Sequence, residues 1–269
     1  MRLDRIRPAS FIVWPVAETL TIDCGGGGIK ASVLDADGAM LADPIRVPTP
    51  YPLSTSLFIE TLLALARRLP PAARVTVGVP GMIRHGVVVH TPHYITVSGP
   101  RSRVDPELRD QWTGFHLEKA LAVAFGLPTL VLNDAEVHGA DLVQGAGLEL
   151  VLTLGTGLGC AMFDHGVLAP HLEFSRAPMR WGQTYDTYIG EIERRRLGVR
   201  LWSRRMVRVV ESLRPVFLWD RLYIGGGNAQ LIRAEARAKM GPDVVFALNA
   251  AGIRGGGKAW NLVGVRGQP

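Results

Sequence analysis

Glu18-Thr-Leu-Thr-Ile-Asp-Cys-Gly-Gly-Gly-Gly-Ile-Lys-Ala-Ser-Val-Leu34 is the stretch that decides the fold. Up to Cys24 apolar and polar residues alternate, four glycines follow, and a second apolar run ends at Asp35-Ala-Asp-Gly38. Period-two alternation bounded by glycine and an Asp-x-Asp-Gly turn predicts a β-hairpin with a glycine loop at one end. The same pattern returns in the second half. Residues 149–154 predict a strand, Gly155-Thr-Gly-Leu-Gly159 a glycine loop and 160–163 a strand, closed by Asp164-His-Gly166. Two copies of such a unit predict a duplicated α/β chain with a cleft between two similar lobes.

Around these units, residues 48–53 predict a turn, 56–68 an amphipathic helix stopped by Pro70-Pro71, 74–79 a strand ending in Pro80-Gly81, and 86–90 a short strand. A helix over 115–125 is closed by Gly126-Leu-Pro128, and a strand over 129–132 runs through Asn133-Asp134 into a helix over 135–142. From Tyr185 the pattern is helical through Ser212, with Pro215 as a break. Residues 221–224 predict a strand entering Gly225-Gly226-Gly227-Asn228. A last helix is expected over 249–260 despite Gly252 and the glycines at 255–257, with a loosely held tail after Lys258.

Composition narrows the function. With 269 residues, 47% of them hydrophobic, two cysteines and a formal charge of +6, the chain is not collagen-like, disulfide-stapled or a charged disordered polymer. No uncharged apolar stretch reaches the ~18 residues a membrane helix needs, so no membrane association is expected. Residues 1–16 carry Arg2, Arg5 and Arg7 but also Asp4 and two prolines, and read as an N-terminal extension of a cytoplasmic protein. Cys24 and Cys160 read as small core-lining thiols. Seven arginines crowd between Arg194 and Arg208, either as a solvated helix face or as a polyanion site. Aromatics are not interleaved there beyond Trp202, so no nucleic-acid partner is expected.

Glycines directly after a strand let main-chain N–H groups approach a phosphate without a Cβ in the way. The clusters are Gly25, Gly26, Gly27 and Gly28; Gly155, Thr156 and Gly157; and Gly225, Gly226, Gly227 and Asn228. None is a Walker A loop. Asp23 either caps a turn or meets, through water, a metal bound to the phosphates. Lys30 either neutralises phosphate or faces solvent. Asn133-Asp134 is either a helix N-cap or a catalytic pair. As a catalyst, Asp134 accepts the proton of a substrate hydroxyl that attacks a phosphoryl group, with Mg²⁺ and backbone dipoles stabilising the charge, while Asn133 orients the hydroxyl.

These residues together resemble a known family. Asp23-Cys-Gly-Gly-Gly-Gly-Ile-Lys30 resembles the D-x-G-G-[TS]-x-[IL]-K opening of ROK-family sugar kinases, and Val79-Pro-Gly-Met-Ile-Arg-His-Gly86 the segment after their third strand. Asn133-Asp134-Ala135 is similar to the family's N-D-A motif, and Leu154-Gly-Thr-Gly-Leu-Gly159 to its second phosphate loop. Ile224-Gly-Gly-Gly-Asn228 resembles the loop beside the nucleotide's adenosine, and Leu248-Asn-Ala-Ala-Gly-Ile253 the closing helix of the polyphosphate/ATP glucokinase branch.

The resemblance implies an actin-like ATPase (ribonuclease H-like) duplicated fold. It places an N-terminal lobe at 1–113, a C-terminal lobe at 114–248, and a closing helix at 249–262 that returns to the first lobe. It implies phosphoryl transfer from ATP or polyphosphate to the 6-hydroxyl of a hexose, with Mg²⁺, without zinc, in a homodimer. Asp134 is then the base, Asn133, Gly81 and Glu173 the sugar contacts, and Gly225 to Asn228 the nucleotide loop. Two departures stand out: Phe174 and Ser175 replace the glycine and histidine of the family's E-x-G-H motif, and His90-Thr-Pro-His93 replaces a small-residue and asparagine segment. The competing expectation is a non-catalytic sugar or phosphorylated-ligand sensor.

Overall fold

The structure is a computed structural model describing residues 17–247 and 251–262. In chain order the first half holds β1 (Thr19–Cys24), β2 (Ile29–Leu34), β3 (Ile45–Val47), α1 (Thr55–Ala66), β4 (Arg74–Val79), the hairpin β5 (Met82–Arg84) and β6 (Val87–His90), α2 (Pro106–Trp112), α3 (Leu117–Phe125) and β7 (Thr129–Asn133). Then come α4 (Asp134–Leu142), β8 (Leu148–Leu154), β9 (Leu158–Asp164), β10 (Val167–Leu168), the hairpin β11 (Pro178–Arg180) and β12 (Gln183–Thr184), α5 (Tyr185–Ile189) and α6 (Glu191–Phe217). β13 (Arg221–Gly225), α7 (Ala234–Arg237), β14 (Val244–Phe246) and α8 (Ala251–Leu262) complete it.

Two five-stranded sheets have the same wiring, β3-β2-β1-β4-β7 and β10-β9-β8-β13-β14. In each, the first three strands are antiparallel and the last two add in parallel. The duplication read from the two glycine hairpins is thus present strand for strand. The glycine loops are the β1–β2 and β8–β9 turns. Hydrophobic side chains of α1, α2 and α3, among them Phe58, Leu62, Trp112 and Leu121, pack on the first sheet. Trp202, Met206 and Val210 of α6 pack on the second.

α4 and α8 lie together, and α8 also packs on β1, β2 and β4. The glycines that weaken α8 as an isolated helix are what this packing requires: a Cβ on Gly255 would fall on the Val137 carbonyl oxygen, and one on Gly256 on the Thr21 side chain.

Three expectations change. β7 pairs with β4, so the chain leaves the first sheet after Asn133, and residue 113 falls between helices that cover that sheet. Pro215 does not break α6, which continues to Phe217, because so near the C-terminus proline forfeits only one intrahelical bond. The interruption lies at Gly198 instead, with φ 70° and ψ 161°. The chain is also held beyond Lys258: Trp260 is 4% exposed, its Nε1–H donates to Thr76 Oγ1 at 2.8 Å, and the Arg74 guanidinium lies over its ring. The N-terminal extension and the first residues of the expected closing helix, 249 and 250, lie outside the described residues.

Candidate active site

A cavity of about 940 Å³ opens between the two sheets, lined from one side by Gly25, Gly26, Gly81, Asn133 and Asp134 and from the other by Gly155, Thr156, Gly157 and Glu173. Both glycine loops are tight turns, closed by Gly25 N–H to Gly28 O at 2.9 Å and by Gly155 N–H to Gly157 O at 3.0 Å. Thr49 Oγ1 and Tyr51 Oη donate to the carbonyls of Gly25 and Gly26, fixing the first loop. The amides of Gly26, Gly27, Thr156 and Gly157 have no acceptor among the described residues. The Asp186 carboxylate packs against Gly157 and accepts Leu158 N–H at 2.9 Å, where any Cβ on Gly157 would collide with it.

Asp134 sits where β7 ends and α4 begins. Asn133 is the N-cap: its Oδ1 accepts Ala135 N–H at 2.8 Å, while Glu136 Oε2 accepts Asn133 N–H at 2.9 Å, a capping box that fixes the turn. Asn133 Nδ2 donates to Gly81 O at 2.8 Å, leaving its second amide hydrogen without a partner among the described residues. Gly81 has φ 108°, and a Cβ there would strike the His90 carbonyl, so only glycine brings this strand end to Asn133. Asp134 Oδ1 accepts Ala135 N–H at 2.9 Å; its other oxygen accepts nothing among the described residues. Burial, and then the charge of Asp23, push the Asp134 carboxyl up to about 7, against the pull of the Ala135 N–H.

Asp23, one residue before the end of β1, lies beneath the first loop rather than on the cavity wall. Burial raises its carboxyl, while Lys30, its cross-strand partner, and Arg46 pull it back. No hydrogen bond to its carboxylate is made among the described residues. Mg²⁺ characteristically uses one or two carboxylates together with substrate phosphates and water, and a partly open, unpaired carboxylate below an amide-lined loop fits that demand. Among the described residues no three His, Cys, Asp or Glu side chains are grouped to hold a metal unaided.

Other expected residues are placed differently. Lys30, Gly27 and Gly28 do not line the cavity, and Arg46 packs against Gly28. The third loop is also off the wall and braces the second: Gly226, with φ 84°, lies against the backbone of Leu154, and Asn228 Nδ2 donates to Gly155 O at 2.9 Å and to Glu191 Oε2 at 3.0 Å.

Two further polar side chains, His171 and Arg176, line the cavity. His171, with its side chain 5% exposed, bonds Glu136 Oε1 through Nδ1 at 3.1 Å and sets Nε2 3.9 Å from Glu173 Oε2. Burial by itself would lower the imidazole, but the hydrogen bond to Glu136 and the nearby Glu173 carboxylate outweigh it and raise His171 to about 9. The helix cap beside the base is thereby tied to Glu173. Counted from Glu173, the glycine and histidine places of E-x-G-H fall on Ser175 and Arg176, not on Phe174 and Ser175. Arg176 Nη2 donates to His90 Nε2 at 2.7 Å across the cleft. His90 has a lowered pKa, from burial first and the Arg176 charge second, which suits a neutral acceptor. Histidines in loops carry no periodic signal, so only their spatial neighbours mark them.

The profile of the ROK family matches residues 19–169. The chain belongs to the ROK family. Polyphosphate glucokinase from Mycobacterium tuberculosis is 27% identical over 216 residues, spanning 77% of this ROK chain and 76% of the relative. The crystal structure of inorganic polyphosphate/ATP-glucomannokinase from Arthrobacter sp. strain KM superposes with a TM-score of 0.74 at 28% identity, covering 91% of this chain and 99% of that one. A ROK family glucokinase from Streptomyces griseus, solved with glucose and AMPPNP, shares the fold with a TM-score of 0.68 at 18% identity, covering 91% and 99%. The duplicated sheets are those of the actin-like ATPase fold, as the sequence resemblance implied. No helix among the described residues is long and apolar enough to cross a membrane.

Proposed function

We propose that this ROK protein is a sugar kinase that transfers the terminal phosphoryl group of ATP or inorganic polyphosphate to the 6-hydroxyl of a hexose such as glucose. The observation that carries the reading is Asp134, with one oxygen held by a main-chain amide and the other free, on a cavity wall between a polar group of Asn133, Glu173 and His171 and two glycine loops. The Arthrobacter relative is an inorganic polyphosphate/ATP-glucomannokinase and the mycobacterial one a polyphosphate glucokinase.

In this mechanism Asn133 and Glu173 hold the sugar, and the free oxygen of Asp134 accepts the proton of the attacking hydroxyl. The oxygen–phosphorus bond forms as the bridging phosphorus–oxygen bond breaks, and that electron pair leaves with ADP or with polyphosphate shortened by one unit. The unpartnered amides of Gly26, Thr156 and Gly157 stabilise charge on the transferring group. Asp23 would hold Mg²⁺ by way of water, and the ion would neutralise the donor phosphates.

The test is a matrix of ATP and polyphosphate against a panel of hexoses with purified protein, repeated for Asp134→Asn. The variant is expected to lose two or more decades of kcat, the scale of general-base catalysis, with sugar affinity retained. Turnover that survives the substitution refutes Asp134 as base. Saturable sugar binding by the wild type with no product from either donor would make the chain a sensor instead.

A further inference from the structure

The seven arginines of α6 from Arg194 to Arg208 fall into two groups, while Arg214 near its end pairs with Asp243. At the start of the helix the guanidiniums are neutralised: Arg194 and Arg195 bond Glu191, Arg196 bonds Glu193, and Arg205 folds back to Glu193. Beyond the Gly198 kink, Arg200, Arg204 and Arg208 follow one another at i, i+4 spacing, ~6 Å apart along the axis and on one face for ~12 Å. They line a groove of about 760 Å³ whose other wall carries Arg233 and Lys239 from α7 and its flanks, with Glu211 and Glu235 as the acids in the lining. Among the described residues the side chains of Arg200, Arg204 and Lys239 bond nothing, and Arg208 reaches only the Tyr188 hydroxyl at 3.4 Å. Arg233 is paired with Glu235 at 3.2 Å. Like charges four residues apart repel on a helix, so folding stability gives no reason to stack three of them opposite Lys239.

The segments that lead into both walls touch the second glycine loop. Glu191 N–H, at the head of α6, donates to Thr156 O, and Asn228, just ahead of α7, donates to Gly155 O. Among the described residues no aromatic ring lines the groove. Single-stranded nucleic acid is held by cations together with stacking platforms, whereas a linear phosphate polymer presents only repeated charge. We propose that the groove binds the distal part of an inorganic polyphosphate chain whose reacting end lies at the glycine loops. The inference rests on the kinase reading for the identity of the reacting end.

The experiment compares ATP, tripolyphosphate and long-chain polyphosphate as donors for the wild type and for Arg200→Ala/Arg204→Ala/Arg208→Ala, with Arg233→Ala/Lys239→Ala testing the opposite wall independently. Expected is a rise of about tenfold or more in KM for the long chain in each variant. The salt dependence of log KM should flatten by ~2 for the triple variant, from ~0.7 per released counterion. Kinetics with ATP and tripolyphosphate should be unchanged. Long-chain KM and salt slope equal to wild type in both variants overturn the proposal, as does tighter binding of single-stranded nucleic acid than of polyphosphate at the groove. Transfer from ATP alone leaves the kinase reading standing and defeats the groove. Transfer from neither defeats the kinase reading, and equilibrium binding of labelled polyphosphate, lost in the variants, then reads the groove by itself.

Discussion

Replacing His171 with asparagine isolates the charge at the centre of the acidic cluster. The amide preserves a donor toward Glu136 while removing the positive charge between Glu136 and Glu173. In the folded protein the imidazole titrates at about 9 against 6.5 for an unperturbed histidine. At about 1.4 kcal/mol per unit, that is worth roughly 3 kcal/mol. A buried side chain takes no large discount for solvent, and removing one member of a buried ion pair costs a similar ~3–5 kcal/mol. Because the folded value lies above the unfolded one, the contribution is complete below pH 6.5 and disappears as pH rises through about 9. Urea unfolding of both proteins at about pH 6 and about pH 10 reads it as a difference, so that other titrating groups cancel. The variant should be less stable by roughly 3 kcal/mol at the lower pH and nearly equal to wild type at the higher. A gap below ~1 kcal/mol near pH 6, or one that does not close with rising pH, refutes the assignment of His171 as an imidazolium held by the two carboxylates.

Other outcomes follow from single observations. Since a base must be ionised to accept a proton and the Asp134 carboxyl lies at about 7, kcat/KM should rise with pH through that region, and a profile flat from about pH 5 to 8 would count against it. Gly255→Ala should destabilise by at least ~1–3 kcal/mol, since α8 must back away from the Val137 carbonyl; an unchanged thermal midpoint would mean the helices are not so close. Trp260→Ala should cost ~3–5 kcal/mol by opening a cavity between α8 and the first sheet, seen in chemical denaturation, and a cost under ~1 kcal/mol would place the ring outside the core.

Much of the architecture was legible because it is local. The two glycine hairpins, the strand before Asn133 and the helix after it are set by alternation, turn chemistry and an N-cap, all expressed within a few consecutive residues. The Asn133–Asp134 turn was readable for the same reason, though its ambiguity between cap and catalyst was real: Asn133 serves as the cap and also lines the cavity. Pro215 misled because propensity describes an isolated helix, whereas α6 ends just beyond its proline; the α8 glycines did not prevent the expected helix, because α8 must pass close to α4 and β1.

The sequence by itself determined the duplicated strand–glycine–strand units, the presence of anion-accepting loops and the acid that follows β7, since each is a short-range pattern. Only the tertiary structure decided what faces what. It put His171 between Glu136 and Glu173, spanned the cleft with Arg176 and His90, set the third glycine loop behind the second, and separated the paired arginines of α6 from the unpaired ones. Those outcomes depend on side chains far apart in sequence meeting in a low-dielectric interior, where a neighbour's charge and the loss of water set each group's protonation and partners.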